Sequence, residues 1–378
     1  MSNLRNLLPL ILLTCFVQLK AAEVRYLARS PRALLMGDAF TALADDEYTL
    51  FYNPAAIGRH SDFSISPLNP MIATTNALDE VDRFKDFPSG QASKIQERLL
   101  GFPVYVKLGI TPTVKLGGFA LSGLFNSTTS LILRNSTYPE MDIDYRYDRG
   151  FIAGYSHSFG QAQSGTRHGT KFRPGYRASV GFAVKHISRE GLNGQFDLYG
   201  TRLLNIVESG ASDISAIKEQ LGYSTGDAWG YDLGVDYEFV RQGYTLASSI
   251  SILDIADTRF KKTKGTRDIA SQEMLVNWGM TFGQRFGPLF SYNLAFDLHP
   301  LNTNIDFGRK VHFGAEVNVL VFSLLMGWSE GYPSYGVGLD LAPFKILAGF
   351  YTVELGSTYK HEAGKRAFLS LNLLDFSF

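Results

Sequence analysis

The chain has 378 residues, and its 36 lysines and arginines balance 36 aspartates and glutamates to a formal net charge of zero. That balance excludes the basic footprint of a nucleic-acid binder and the polybasic patch of a peripheral membrane protein. Mean hydropathy near zero (-0.03) excludes a helical membrane bundle, whereas 37 glycines, 19 tyrosines and 28 phenylalanines suit the alternating strands of a membrane barrel.

Residues 1–22 read as a secretory signal, with Arg5 as the positive end, Leu7 to Val17 as the apolar core and Ala21-Ala22 at the cleavage site. The sole cysteine, Cys15, lies within this segment, and Leu12-Leu13-Thr14 before it is a poor lipoprotein signal. The mature chain is therefore expected to have no thiol, which excludes disulfide frameworks, cysteine–zinc sites and thiol nucleophiles.

The stretch from Arg29 to Gly58, RSPRALLMGDAFTALADDEYTLFYNPAAIG, is apolar and rich in small residues, yet carries the adjacent carboxylates Asp45 and Asp46. Small residues permit close packing, and shielded carboxylates need donors. Asn53 before Pro54 is biased to extended backbone and predicts a sharp turn. An ordinary helix ending at a proline loop would also account for these features.

The same stretch resembles the N-terminal signature of the FadL-like outer-membrane proteins, the channels for long-chain fatty acids and hydrophobic compounds, and of their PorV-type relatives. Met36, Gly37, Ala39, Phe40, Ala42, Ala44, Asp45, Asp46, Tyr52, Asn53, Pro54 and Ala55 fall on the pattern. Leu35 and Asp38 stand where the family commonly has glycine. The resemblance implies a fourteen-stranded barrel with residues 23–60 folded into its lumen as a plug, shaped by Gly37, Asp38, Phe40, Asp45, Asp46, Asn53 and Pro54.

After a short strand at 61–67, residues 78–100 read as helical, divided by Pro88-Ser89-Gly90. From Thr113 the period becomes two. Trp229, Tyr231, Leu233, Val235, Tyr237 and Phe239 alternate with Gly230, Asp232, Gly234, Asp236 and Glu238, with aromatics flanking aliphatics as on a lipid-facing strand. Fourteen antiparallel strands are expected: 61–67, 114–126, 128–146, 149–159, 176–188, 227–240, 243–253, 274–286, 289–298, 310–320, 322–329, 334–341, 344–352 and 367–376. Pro139 marks a break within the third, and the alternation slips near Leu373-Leu374 as at a bulge. A second helical stretch, 202–221, interrupts the barrel segment 61–378. Its apolar stripe packs on the barrel mouth or, as the resemblance implies, forms a first hydrophobic site. Phe376 and Phe378 resemble the C-terminal signal read by the barrel-assembly machinery.

Alternation alone would suit a soluble sandwich. The signal, the strand-end aromatics and the C-terminal phenylalanine favour an all-β transmembrane barrel, monomeric, in the outer membrane of a Gram-negative envelope and in contact with its lipid. The chain lacks H-E-x-x-H, P-loop, G-x-S-x-G and cysteine–histidine patterns, so no catalytic residue, metal or cofactor is expected and the chain is read as a non-enzyme. The histidines are scattered, and His157, His186 and His312 fall in strands as lumen or girdle residues. Asp142, Asp144 and Asp148 lack the turn of a calcium loop and read as a solvated edge. Arg177, Lys185, Asp232, Asp236, Glu238, Asp297, Glu316 and Asp340 are expected to line the lumen, as cross-strand pairs or along a polar path. The expected function is passive uptake of hydrophobic small molecules such as long-chain fatty acids. The alternative is a non-transporting barrel serving structure, secretion or protein interaction.

Overall fold

The computed structural model describes residues 23–59, 63–85, 92–163, 173–197, 221–287 and 289–377. The expected signal, 1–22, lies outside these residues, as do the helical stretch 202–221 apart from Leu221, the Pro88-Ser89-Gly90 break and Phe378.

Eighteen strand segments, four pairs of which run on in line, form fourteen antiparallel strands in one closed barrel. They are β1 (Phe63–Ser66, continued by Met71–Thr75), β2 (Val104–Ile110, continued by Thr113–Leu116), β3 (Phe119–Arg134) and β4 (Glu140–Gly160). Then come β5 (Gly175–Asp197), β6 (Ser224–Arg241), β7 (Tyr244–Leu253, continued by Lys261–Lys264), β8 (Leu275–Phe286) and β9 (Phe290–Leu298). The last are β10 (Val311–Val319), β11 (Phe322–Ser329), β12 (Tyr332–Leu341), β13 (Phe344–Glu354) and β14 (Ala363–Leu373, continued by Phe376–Ser377). Each strand pairs with the next in sequence. β14 closes on β1, with Ala73 opposite Phe368 and Ile65 opposite Phe376.

Polarity across the wall is inverted relative to a soluble protein. In β6, Trp229, Tyr231, Leu233, Val235 and Tyr237 are 47–57% exposed, whereas Asp232, Asp236 and Glu238 are at most 2% exposed. The same alternation holds in β10, where Phe313 faces out and His312 and Glu316 face in. A sheet with a polar, buried inner face and an apolar outer face is stable in hydrocarbon, where closure satisfies every backbone group of the wall. No helix among the described residues is long and apolar enough to cross a membrane.

From β5 onward the expected strands and the observed ones coincide within a few residues, apart from the long outer end of β5. The earlier ones do not. The strand expected at 114–126 contains the Gly117-Gly118 turn, which reverses the chain between Leu116 and Phe119. Gly117 has φ +57°, a left-handed backbone that suits a two-residue hairpin. The strand expected at 128–146 divides at 135–139, where Asn135 is left-handed (φ 60°) and Pro139 precedes β4. The segment Val104–Ile110 was not expected as a strand, although Val106 and Leu108 face outward and Tyr105 and Lys107 inward. The total of fourteen survives because the early hairpins are displaced rather than lost. Near the C-terminus, Leu374 takes φ +76° and breaks β14 before Phe376. Two short helices occupy the first long connection, Val81–Phe84 and Ala92–Leu99.

Leu233 lies between aromatic ends on the outer face of β6. Leu233→Arg is expected to destabilise the barrel by about 2–4 kcal/mol, measured by urea unfolding in phosphatidylcholine vesicles. An unchanged midpoint would show that this face does not meet hydrocarbon.

Candidate functional site

The lumen is occupied by residues 23–59, which touch inward-facing residues of strands around most of the barrel. Ser30 opens a short helix, α1 (Pro31–Leu35): its Oγ accepts hydrogen bonds from the amides of Arg32 (3.1 Å) and Ala33 (3.3 Å), and Pro31 presets the first turn. The chain then reverses at Gly37 (φ 63°) and Asp38 (φ 61°). A second short helix, α2 (Thr49–Tyr52), ends at Asn53, whose Oδ1 accepts from the Ala55 amide at 2.9 Å and starts the 3₁₀ turn Pro54–Arg59. Asn53 and Pro54 thus make the turn anticipated for them.

Close approach to the wall depends on glycine. A methyl group on Gly327 would overlap the backbone of Met36 and Gly37, and one on Gly181 would meet Pro54 and Ala55 at 2.5–2.6 Å. Leu35, where the signature commonly has glycine, packs instead over Gly336 and Gly349.

Polar ties hold the segment along its length. The Glu23 carboxylate takes two hydrogen bonds from Arg366 (2.8 and 2.6 Å), whose guanidinium lies 3.5 Å from the Tyr105 ring centroid. Burial pushes Glu23 up, but Arg366 outweighs it and holds the carboxyl at about 2. Arg25 meets Asp144 at 3.2 Å. Arg32 donates to Glu316 (2.9 and 2.5 Å) and also pairs with Asp45. Asp46 accepts from Ser30 Oγ at 2.5 Å and from the Tyr48 amide at 2.8 Å, and its carbonyl accepts from Lys115. Asp297 Oδ2 accepts from the amides of Phe40 (2.8 Å) and Thr41 (2.7 Å). Asp38 accepts from Tyr52 Oη at 2.8 Å and pairs with Arg29 at 3.3 Å, and Phe40 packs edge-on to Tyr52. At the far end Arg59 forms a fully buried, two-pronged pair with Asp236, which also accepts from Ser249.

The other inward residues pair between strands. Arg177 binds Glu238, and Lys185 bridges Asp232 (2.7 Å) and Asp254 (2.8 Å). Asp340 faces Lys345 across β12 and β13 near a turn. The carboxylates Asp142, Asp144 and Asp148 each meet an arginine: Arg134, Arg25 and Arg189. His312 faces the lumen, whereas His157 and His186 sit among outer-face aromatics.

Sequence reading did not single out Arg32, Arg59, Lys115, Arg366 or His299 as site residues. Ser30-Pro31 is a legible helix start that would have placed Arg32. The contacts that tie the others across the lumen join a strand or its end to the N-terminal segment more than sixty residues away, and spacing carries no trace of them.

On the outside of the wall that meets Met36 and Gly37, strands β7–β12 form an apolar groove of about 800 Å³. Met280, Leu294, Phe313, Met326, Trp328 and Tyr335 line it. Inside, a void of about 10 Å³ lies beside Tyr26, Lys185 and Asp232.

Fourteen strands closed around an N-terminal segment is the architecture that the resemblance to the FadL-like proteins implies. No protein-family model and no curated protein matches the chain. Among solved structures, the CymD monoaromatic hydrocarbon channel is similar at 10% identity and TM-score 0.45, over 92% of this chain and 97% of that one. The Ralstonia pickettii toluene transporter TbuX is similar at 9% identity and TM-score 0.42, over 93% and 99%. The Pseudomonas putida toluene transporter TodX is similar at 8% identity and TM-score 0.40, over 94% and 99%. The fold assignment rests on this chain's own strand order and register.

Two measurements probe the ties. Arg59→Met leaves Asp236 buried and unpaired and is expected to cost about 3–5 kcal/mol, most of which Asp236→Leu in the same chain restores; a double-mutant cycle by urea unfolding checks this. Glu47 is pushed up to about 7 by burial, reinforced by Asp46 and Asp375 against Lys345. A carboxyl whose folded value exceeds its unfolded one keeps its proton longer when folded, so stability falls as pH rises from about 4.5 to about 7. Glu47→Gln should therefore raise the urea midpoint at pH 8 and leave it unchanged at pH 4.

Proposed function

We propose that this chain is an outer-membrane channel for passive uptake of hydrophobic small molecules, with residues 23–60 as its plug. The observation that carries the reading is the seating of residues 23–59 in the lumen, where ion pairs and hydrogen bonds to the wall accompany an apolar core that includes Leu35, Met36, Phe40, Leu50 and Ile57. The polar contacts can be exchanged for water one at a time, which gives the segment separable points of release from the wall. The signature from Met36 to Ala55 supports the same assignment. The apolar groove lies across the wall from the Gly37 reversal and offers hydrophobic surface toward the bilayer. Long-chain fatty acids and monoaromatic hydrocarbons are the cargo classes to compare. Transport follows the partition gradient, and the lumen carboxylates act as structural partners of arginine and lysine rather than as catalysts.

The apolar packing of the lumen segment against the wall favours a second reading, a barrel that stays closed and serves as a structural or secretion-associated component. Uptake separates the two. In a strain lacking its own transporter, expression of the protein is expected to raise entry of radiolabelled oleate or toluene severalfold, and Asn53→Ala with Pro54→Ala to change that rate. A heat-modifiable, correctly assembled barrel that admits neither compound would sink the channel reading and leave the closed barrel.

A further inference from the structure

Two buried imidazoles grip the reversal of the lumen segment. His299, at the end of β9, and His312, on β10, stack with ring centroids 3.8 Å apart and planes 7° from parallel. Both are 3% exposed. His299 Nε2 lies 3.0 Å from the Asp38 carbonyl, and its Nδ1 lies 3.0 Å from Tyr26 Oη. His312 Nδ1 lies 2.9 Å from the Gly37 carbonyl and 3.1 Å from Ser329 Oγ, while its Nε2 lies 3.1 Å from the His299 carbonyl.

Carbonyl oxygens only accept, so three of the four ring nitrogens face groups that need an N–H. Two neutral imidazoles supply two N–H groups. The arrangement is complete when the pair carries one extra proton, and a second extra proton is opposed because the rings are stacked and charge would face charge. Without the extra proton, Ser329 Oγ can donate to His312 Nδ1, His312 keeps its Nε2–H for the His299 carbonyl, and the Gly37 carbonyl loses its donor. We propose that His299 and His312 form a one-proton latch on Gly37 and Asp38, tight when the pair is protonated and loosened when it is neutral.

The latch acts at the reversal of the lumen segment. Gly37 and Asp38 are both left-handed, with φ of 63° and 61°. The charged and titratable groups around the pair are Tyr26, Arg29 and Asp38 of the lumen segment, Glu330 after β11, which acts on Tyr26 and Arg29, and Asp297 of β9. Asp297 holds the amides of Phe40 and Thr41, and it grips them more tightly as pH rises. Its effect is therefore opposite in sign to that of the latch and can be separated by Asp297→Asn.

This inference deepens the plug reading, since it assumes that residues 37–41 are the part that loosens. The test reads that segment directly, so it stands or falls apart from any uptake result. Hydrogen exchange of the Asp38 and Ala39 amides is measured in the full barrel in lipid nanodiscs between pH 5 and pH 8, corrected for chemical exchange. In the Asp297→Asn background, protection is expected to be about tenfold greater at pH 5 than at pH 8, the size of one hydrogen bond. His312→Gln should abolish that difference. Ser329→Ala removes the competing donor and should move the transition to higher pH. Equal protection at both pH values, or a pH response that persists in folded His312→Gln, overturns the latch. If His312→Gln does not assemble, an unmoved transition in Ser329→Ala overturns it.

Discussion

A backbone that crosses hydrocarbon must satisfy its N–H and C=O groups without water, and this chain does so by closing β14 onto β1. The rest of the structure follows from that closure. A sheet with no edge has an inside, and the residues that alternate with lipid-facing Leu233 and Val235 have nowhere to go but into it. Their polarity is possible only because the inside contains partners.

Those partners come from the N-terminal segment and from neighbouring strands. Burying Asp236 alone would be prohibitive, but Arg59 and Ser249 surround it. Asp297 uses two backbone amides of the lumen segment in place of a cation. Glu316 faces Arg32, and Arg366 faces Glu23 across three hundred residues of chain. Beside the apolar core that Leu35, Met36, Phe40, Leu50 and Ile57 form in the lumen, these ties are directional and separable, so the filling has discrete points at which it can let go.

Position also decides what glycine does here. Gly327 and Gly181 lie on the inner face, where the segment presses backbone against backbone. The wall in front of Met36 and Gly37 is thin, and its outer side is the apolar groove of β7–β12. At the reversal, one glycine-lined layer of sheet therefore separates the lumen segment from the groove.

Much of this was legible in the residues. Strict alternation from Tyr176 onward marked the strands, because a period of two places every second side chain on one face whatever the partner strand is. The Asn53-Pro54 turn and the inward facing of Asp232, Asp236 and Glu238 followed from local chemistry. The early hairpins were displaced because Val104–Ile110 follows a helical stretch, and because Gly117-Gly118 turns within what reads as one strand. Which cation meets which carboxylate was not legible. Neither was the convergence of His312 and His299 on Gly37 and Asp38, nor the groove behind them. Strand polarity is a property of neighbours in sequence, and sequence by itself determined it. Contacts between residues hundreds of positions apart exist only once the barrel has closed with a definite register, and that the tertiary structure alone decided.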